Sequence, residues 1–171
     1  MQVLLSPSQL QLITKRLAHQ LTENREDLTE VVFIGIQPRG TRIAEKILHE
    51  IKLLHHTASI QYGCLDITFY RDDIREELHL PKETNISFSI ENKKVVLIDD
   101  VLYTGRTVRA ALNALQDFGR PSRVELCVLV DRRFNRELPI QPNYMGISID
   151  TTPQQIVKVN WETEETLIFS S

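Results

Sequence analysis

The chain has 171 residues, of which 42% are hydrophobic and 25% charged, and this composition excludes a disordered or fibrous protein. The length suits one domain with a single buried core. A net charge of −3 excludes the strongly basic character of a dedicated nucleic-acid binder, although a local basic face is still compatible with it. Cys64 and Cys127 are too few for a disulfide framework, and no apolar run approaches membrane length. We therefore expect a cytoplasmic protein with no membrane partner.

Periodic apolar residues predict strands and helices that alternate along the chain. The segment Ser6-Pro7-Ser8-Gln9 is typical of a helix start. Its first serine can cap the helix, the proline fits the first helical position, and the glutamine three residues after that serine completes a capping box. This helix is expected to reach about Asn24. Apolar stripes at helical spacing predict two more helices, over 43–54 and over 108–118, the second ended by Gly119. The predicted strands are 31–36, 58–62, 65–70, 95–98, 124–130, 144–149 and 156–161.

This order of elements predicts an α/β fold. Strands that alternate with helices are joined by right-handed crossovers, which give a mainly parallel central sheet flanked by helices. Residues 71–87 are charged, contain Pro81 and show no period. Loops of this length are often lids or binding loops, and a plain surface loop is the alternative. Residues 131–142 form a second, basic and proline-containing loop.

Residues 95–107 are the most informative segment. An apolar strand is followed by Asp99 and Asp100 and then by a turn, Tyr103-Thr104-Gly105-Arg106-Thr107, that opens a helix. Ligands of α/β sheets bind outside the carboxyl ends of strands, and the N–H groups at a helix start suit a phosphate. Since neighbouring side chains on a strand alternate, we expect the chain to turn at Asp99, so that both carboxylates face one pocket. The segment predicts a site for a ribose 5-phosphate; an Mg²⁺ site or a capped turn is the alternative for the acid pair alone.

The same segment resembles the binding motif of type I phosphoribosyltransferases, which use 5-phosphoribosyl-1-pyrophosphate (PRPP). The resemblance extends over nearly the whole chain to the PyrR family, whose members are bifunctional pyrimidine operon regulators with uracil phosphoribosyltransferase activity. It implies a type I phosphoribosyltransferase fold in one domain over 1–171, with a flexible lid at about 71–87 and a small hood at about 131–171. It also implies a homo-oligomer, a dimer or larger. The segments that carry it are 35–40, 65–73, 99–111, 117–121 and 136–140.

The resemblance also implies a set of site residues. Asp99 and Asp100 would hold the ribose hydroxyls, Arg39 would bind pyrophosphate, and these three would carry catalysis. In this superfamily the pyrophosphate loop often contains a non-proline cis peptide, so Pro38–Arg39 is the expected position. The implied PRPP- and UMP-binding residues are Pro38, Arg39, Gly40, Asp99, Asp100, Val101, Tyr103, Thr104, Gly105, Arg106 and Thr107.

The implied reaction converts uracil and PRPP to UMP and pyrophosphate. Mg²⁺ would be bound with PRPP and have no direct protein ligand, Asp99 or Asp100 being candidates to reach it through water. In the lid, Tyr70, Arg71 and Asp72 are candidates to contact the closed complex. Asp131, Ile156 and Val157 are candidates for the base; Asp131 either accepts from a pyrimidine N3–H or orders the hood, and the two apolar residues either contact the ring or belong to the core.

Two alternatives to a uracil enzyme stay open. Purine-specific relatives have an aspartate at the position of Tyr103, so the tyrosine argues against a purine base such as guanine or xanthine without excluding it. A leader mRNA is the other implied partner, and an attenuator with little catalysis is the other function. The cationic candidates for RNA are Lys15, Arg16, His19, Arg132, Arg133 and Arg136, which a solvated helix face and anion binding also explain. Compared with many members, residues 131–141 are one residue longer, lack a histidine and end in Gln141.

Overall fold

The computed structural model describes residues 1–23, 25, 27–56, 58–71 and 83–170. Its centre is a five-stranded sheet in the order β3-β2-β4-β5-β6, in which every neighbouring pair is parallel. This confirms the expected mainly parallel sheet. The strands are β2 (Val31–Ile36), β3 (Gln61–Leu65), β4 (Lys94–Leu102), β5 (Arg123–Arg133) and β6 (Tyr144–Asp150).

Three helices cover the two faces of this sheet, which confirms that helices flank it. Helices α1 (Pro7–Thr22) and α2 (Gly40–Leu54) pack on one face, and α3 (Arg106–Leu115) packs on the other. The strands carry apolar side chains on both faces, as sheets covered on both sides do. Phe33 and Val96 therefore join the core beneath α1 and α2, whereas Ile34 and Leu97 join the core beneath α3.

A second, antiparallel sheet joins the two ends of the described chain. Its strands are β1 (Gln2–Leu5), β7 (Ile156–Asn160) and β8 (Glu165–Phe169), in the order β1-β8-β7. The predicted strand at 156–161 is confirmed as β7. Strands β1 and β8 were not predicted, because four or five residues show too few alternations to separate a strand from a loop.

Several predicted boundaries are wrong. The strand predicted at 65–70 is absent: β3 ends at Leu65 and a 3-10 helix covers Thr68–Tyr70. The Asp66 carboxylate accepts from the backbone N–H of Thr68 at 3.0 Å, a local turn that stops the strand. Strand β5 continues to Arg133, so the predicted loop at 131–142 starts later than expected. No helix in the described part of the chain is long and apolar enough to cross a membrane.

Candidate active site

The acid pair lies inside β4 and not at a turn. Asp99 and Asp100 are only 7% and 4% exposed, and the strand continues to Leu102, so the predicted turn at Asp99 is wrong. The two carboxylates nevertheless line the same cavity, of about 500 Å³. The last pairing between β2 and β4 joins Gly35 to Ile98. Because β4 projects beyond β2 from that point, the cavity lies against an edge of β4 that β2 does not cover.

Local hydrogen bonds orient the two carboxylates. Oδ1 of Asp99 accepts from the N–H of Asp100 at 2.9 Å, and Oδ1 of Asp100 accepts from the N–H of Val101 at 2.8 Å. The buried Oδ2 of Asp100 has no hydrogen-bond partner among the described residues. A buried acceptor without a partner is costly. The pair is therefore arranged to receive donors from outside the protein.

Burial controls the charge of this pair. Burial, together with the neighbouring Asp100 carboxylate, raises the pKa of Asp99 well above its ordinary value, and Arg39 opposes this only in part. Burial also raises the pKa of Asp100 against the opposing effect of Arg39. A ligand that donates hydroxyl hydrogen bonds to the ionised carboxylates would lower both pKa values.

The turn after β4 leads directly into α3 and forms a cradle for an anion. Gly105 has φ +94°, a conformation that glycine adopts without strain. The carbonyl of Thr104 accepts from the N–H groups of Glu137 and Leu138 at 3.0 and 3.2 Å, which fixes the turn. Gly105, the residue before α3, has no side chain that could cap the helix, and Oγ1 of Thr104 accepts from the N–H of Arg106 at a long 3.4 Å. The helix start faces a cavity of about 520 Å³, with N–H groups and a dipole that suit a phosphate.

The loop between β2 and α2 brings Arg39 to the acid pair. A Cβ added at Gly40 would collide with the carbonyl oxygen of Ile98, so the loop can lie this close to β4 only with glycine there. Arg39 lines the same cavity as Asp99 and Asp100. The expected cis peptide at Pro38–Arg39 is wrong. In the described residues the cis bond is Gln37–Pro38, one position earlier, where the tertiary amide of an X–Pro bond tolerates the cis form.

Apolar side chains, one arginine and Gln155 line the part of this cavity formed by the segment that leads into β7. Ile156 and Val157, at the start of β7, line it together with Val101. Arg132, at the end of β5, also lines it, and its guanidinium carbon lies 3.9 Å from the centre of the Tyr103 ring. Burial lowers the pKa of Arg132. This residue was predicted as an RNA contact, and its geometry is that of a cavity wall.

Asp131 and Arg136 attach the loop that follows β5 to the backbone at Tyr103. The buried Asp131 carboxylate pairs with Arg136, which also donates to the carbonyl of Tyr103. Asp131 does not line either cavity. Of the two roles considered for Asp131, these contacts favour ordering of the loop over contact with a base.

The other cationic candidates lie apart from the cavities. Arg133 forms an exposed ion pair with Asp150 at 2.7 Å. On α1, the guanidinium of Arg16 donates to the carbonyl of Gly146 in β6, while Lys15 and His19 are exposed to solvent. The described structure thus divides the six predicted cations between the cavity region and two surface regions.

The lid prediction falls only partly on described residues. Arg71 lines both cavities, whereas the hydroxyl of Tyr70 donates to Asp117, outside them; Asp72 lies outside the described residues. At the other end of the predicted lid, Asn85 pairs with Cys64 of β3. This part of the segment runs beside the central sheet.

Four polar residues that line the cavity were not predicted from the sequence. They follow the carboxyl ends of strands, the position from which site residues are expected in this type of sheet. Gln37 follows β2, and its side chain donates to the carbonyl of Glu83 at 2.6 Å, while Asp66 follows β3. Applying the strand-end argument to every strand would have found these two. The four are Gln37, Asp66, Thr68 and Gln155.

The fold and the site together define a phosphoribosyltransferase. The family model described as "Phosphoribosyl transferase domain" matches residues 4–164. Solved structures with this fold include a hypoxanthine phosphoribosyltransferase from Staphylococcus aureus (TM-score 0.70, 24% identity, covering 91% of this chain and 80% of that one). Another, from Trypanosoma cruzi in complex with the product IMP, has a TM-score of 0.71 at 14% identity and covers 98% of this chain and 89% of that one. At these identities the likeness shows the fold alone.

Sequence relatives define the family more narrowly. The bifunctional protein PyrR of Picosynechococcus sp. is 46% identical over 157 residues, 91% of this chain and 88% of that protein. The bifunctional protein PyrR of Elusimicrobium minutum is 47% identical over 146 residues, 84% of this chain and 80% of that protein. The chain belongs to the PyrR family.

Proposed function

We propose that the protein transfers the phosphoribosyl group of PRPP to uracil, forming UMP and pyrophosphate. One observation carries the proposal: the acid pair, the start of α3 and Arg39 line two cavities that share five residues. This arrangement matches the order of phosphate, ribose and pyrophosphate in PRPP. The shared residues are Arg71, Asp99, Val101, Tyr103 and Thr107.

PRPP would bind through its 5-phosphate at the positive end of the α3 dipole. The N–H groups of Gly105, Arg106 and Thr107 would receive the 5-phosphate, since a helix start supplies both hydrogen-bond donors and a favourable dipole. The ribose hydroxyls would donate to Asp99 and Asp100, giving the buried Oδ2 of Asp100 its missing partner.

Catalysis would consist mainly of stabilising charge. As the bond between ribose C1 and the pyrophosphate oxygen breaks, the ribose ring gains positive charge and the leaving group gains negative charge. N1 of uracil then forms the new bond to C1, and its proton passes to the departing pyrophosphate. Arg39 would neutralise the leaving group, and the carboxylates would stabilise the cationic ribose. Arg71 and the proposed lid (about 71–87) would exclude water, which would otherwise hydrolyse PRPP.

Magnesium fits this site as an ion held mainly by PRPP. Two adjacent carboxylates, one with a buried acceptor that lacks a partner, are donors that a hard, hydrated cation accepts directly or through water. When bound, the ion would supply positive charge to the pyrophosphate oxygens. Asp99 or Asp100 would reach its water ligands while also binding the ribose.

We also propose where the enzyme acts and how it is organised. The protein would act in the cytoplasm, as one domain over 1–171 with a hood at about 131–171, and as a homo-oligomer. Its apolar base wall, formed by Val101, Ile156 and Val157, suits a flat ring. A comparison of product formation with different bases distinguishes uracil from the purine alternatives, guanine and xanthine.

The direct test is a base panel. Purified protein would be incubated with Mg²⁺, PRPP and labelled uracil, guanine, xanthine or hypoxanthine, and each nucleotide product measured. We expect UMP to form much faster than any purine nucleotide. Formation of a purine nucleotide without UMP would show that the substrate is a purine base and not uracil. The absence of a nucleotide product with every base would contradict the enzymatic proposal.

Binding of pyrimidine leader mRNA is the second proposed function. The relatives are named bifunctional. Lys15 and His19 are exposed on α1, where they can approach phosphates, whereas Arg132 and Arg136 contact groups at the cavity. We expect leader RNA to bind more tightly than a scrambled RNA, to bind better with UMP, and to weaken steeply with salt. Equal affinity for both RNAs would contradict regulation; specific binding without UMP formation would identify an attenuator with little catalysis.

A further inference from the structure

Arg132 is a buried cation that has no carboxylate partner among the described residues. It is 4% exposed, and no ion pair includes it, although its neighbour on the strand, Arg133, pairs with Asp150. A charge removed from water without a counter-ion is costly. Its cost is offset in part by the Tyr103 ring, whose centre lies 3.9 Å from the guanidinium carbon.

The guanidinium is held in one orientation. Its Nε donates to Oγ1 of Thr151 at 2.9 Å, and its Nη2 donates to the carbonyls of Gln155 and Thr152 at 2.8 and 3.2 Å. A side-chain hydrogen bond to Tyr103 adds to these contacts. The three bonds above use Nε and Nη2, so Nη1, with two N–H groups, keeps a donor beyond the one that Tyr103 can accept. Arg132 lines the cavity together with Ile156 and Val157, which places this donor beside the apolar base wall.

We propose that Arg132, fixed on the ring of Tyr103, determines base specificity by donating to a carbonyl oxygen of a single-ring base and by occupying, with Tyr103, the space that a second fused ring needs. This inference rests on the proposed function of the same cavity. Base selection would then depend on Arg132 and Tyr103, whereas PRPP binding depends on the acid pair and the start of α3.

The chemistry of a fixed arginine supports selection of a carbonyl. A guanidinium has only donors, so it favours a base edge that presents an acceptor and opposes one that presents an amino group. A site with a buried donor rejects a ligand that leaves this donor unpaired much more strongly than an apolar pocket rejects a misfit. Tyr103 contributes through a cation–π contact, since the guanidinium carbon lies 3.9 Å from the centre of its ring.

The test compares Arg132→Leu and Arg132→Lys with the matched control Arg123→Leu. Arg123 lies at the opposite end of the same strand, is exposed, and pairs with Glu125. We expect Arg132→Leu to lower kcat/KM for uracil about 10- to 100-fold, the loss typical of a hydrogen bond to a charged group. The ratio of guanine to uracil turnover should rise at least about tenfold because part of the steric block is removed, and the ratio of cytosine to uracil turnover should rise because the donor that opposes the cytosine amino group is lost. Arg123→Leu should leave all of these unchanged.

A binding measurement separates an effect confined to the base end of the cavity from a general loss of the fold. Titration of ribose 5-phosphate and of UMP should show that Arg132→Leu weakens UMP and leaves ribose 5-phosphate unchanged. If Arg132→Leu does not fold, Arg132→Lys retains the charge and should show the same selective loss. Equal losses for both ligands, or an unchanged base ratio in a folded variant, would overturn the inference. Failure of the wild-type protein to form UMP would instead overturn the proposed function.

Discussion

The two ends of the cavity are built in different ways. The end that holds phosphate and ribose comes mainly from one continuous segment, 99–108, in which backbone groups supply most of the donors, with Arg71 and Glu137 added from other segments. The base end combines Tyr103 after β4, Arg132 at the end of β5 and residues 151–157 after β6. The first depends on local conformation and the second on packing between distant segments. Changes at the phosphate end should therefore remove activity, whereas changes at the base end should redirect it.

The largest effect should come from the acid pair. Asp100→Asn removes one charge and leaves the shape of the side chain, so it should lower kcat/KM by about 100-fold or more, as the loss of one stabilising group in an active site does. Initial rates with uracil and PRPP measure this. The exposed Asp150→Asn, on β6, should keep nearly full activity. A rate near wild type for Asp100→Asn would exclude the carboxylate from the mechanism.

Gly105→Ala should have the next largest effect. An alanine at φ +94° is strained by about 1–2 kcal/mol, and its Cβ would lie 3.3 Å from Cδ1 of Ile140. We expect a lower free energy of unfolding by about that amount and weaker binding of ribose 5-phosphate. Gly105→Asn should be milder, since asparagine tolerates positive φ. Equal stability of Gly105→Ala and wild type in urea titrations would refute the strained turn.

Asp99→Asn should stabilise the ligand-free protein while impairing its activity. The pKa of Asp99 is raised in the fold, so the native state binds more protons than the unfolded state between the ordinary carboxyl pKa and the folded one. Wild-type stability therefore falls as pH rises through this window. By pH 8 the variant should be more stable by about 1–3 kcal/mol, a typical cost of burying a polar group in a protein.

Urea unfolding at a series of pH values from 5 to 8 measures this difference. The stability advantage of Asp99→Asn should shrink as pH falls, because the wild-type carboxyl becomes protonated. Asp150→Asn again serves as the exposed control. An advantage that is independent of pH, or a variant less stable than wild type at pH 8, would contradict the effect of burial on the Asp99 pKa.

The smallest effect should follow from Glu137→Gln. Glu137 lines the phosphate cavity and pairs with Arg106 at 2.6 Å, with both side chains partly exposed. An exposed pair contributes about 0–1 kcal/mol, so stability should change little. Removal of the negative charge should lower the KM for PRPP by about two- to threefold, because Glu137 repels the bound phosphate. The effect is small because solvent and salt screen this repulsion. A raised KM would show that Glu137 orients Arg106 for binding.

The contrast between the two ends also explains what the sequence could predict. The apolar runs of β2 and β4 and the stripe of α2 are long enough to predict a parallel sheet with helices, and residues 99–107 carry their chemistry in order. Asp99 was misplaced at a turn because the open edge of β4 depends on where β2 ends. The position of Arg132 depends on acceptors near 151–155 and on Tyr103, about twenty to thirty residues away in the chain, so its charge alone suggested RNA.

A crystal structure with UMP bound tests the central claim most directly. Our account predicts the phosphate at the N–H groups of residues 105–107, the ribose hydroxyls on Asp99 and Asp100, and uracil between Val101 and Ile156 beside Arg132. A nucleotide bound at saturating concentration anywhere else, with the turn before α3 empty, would contradict it.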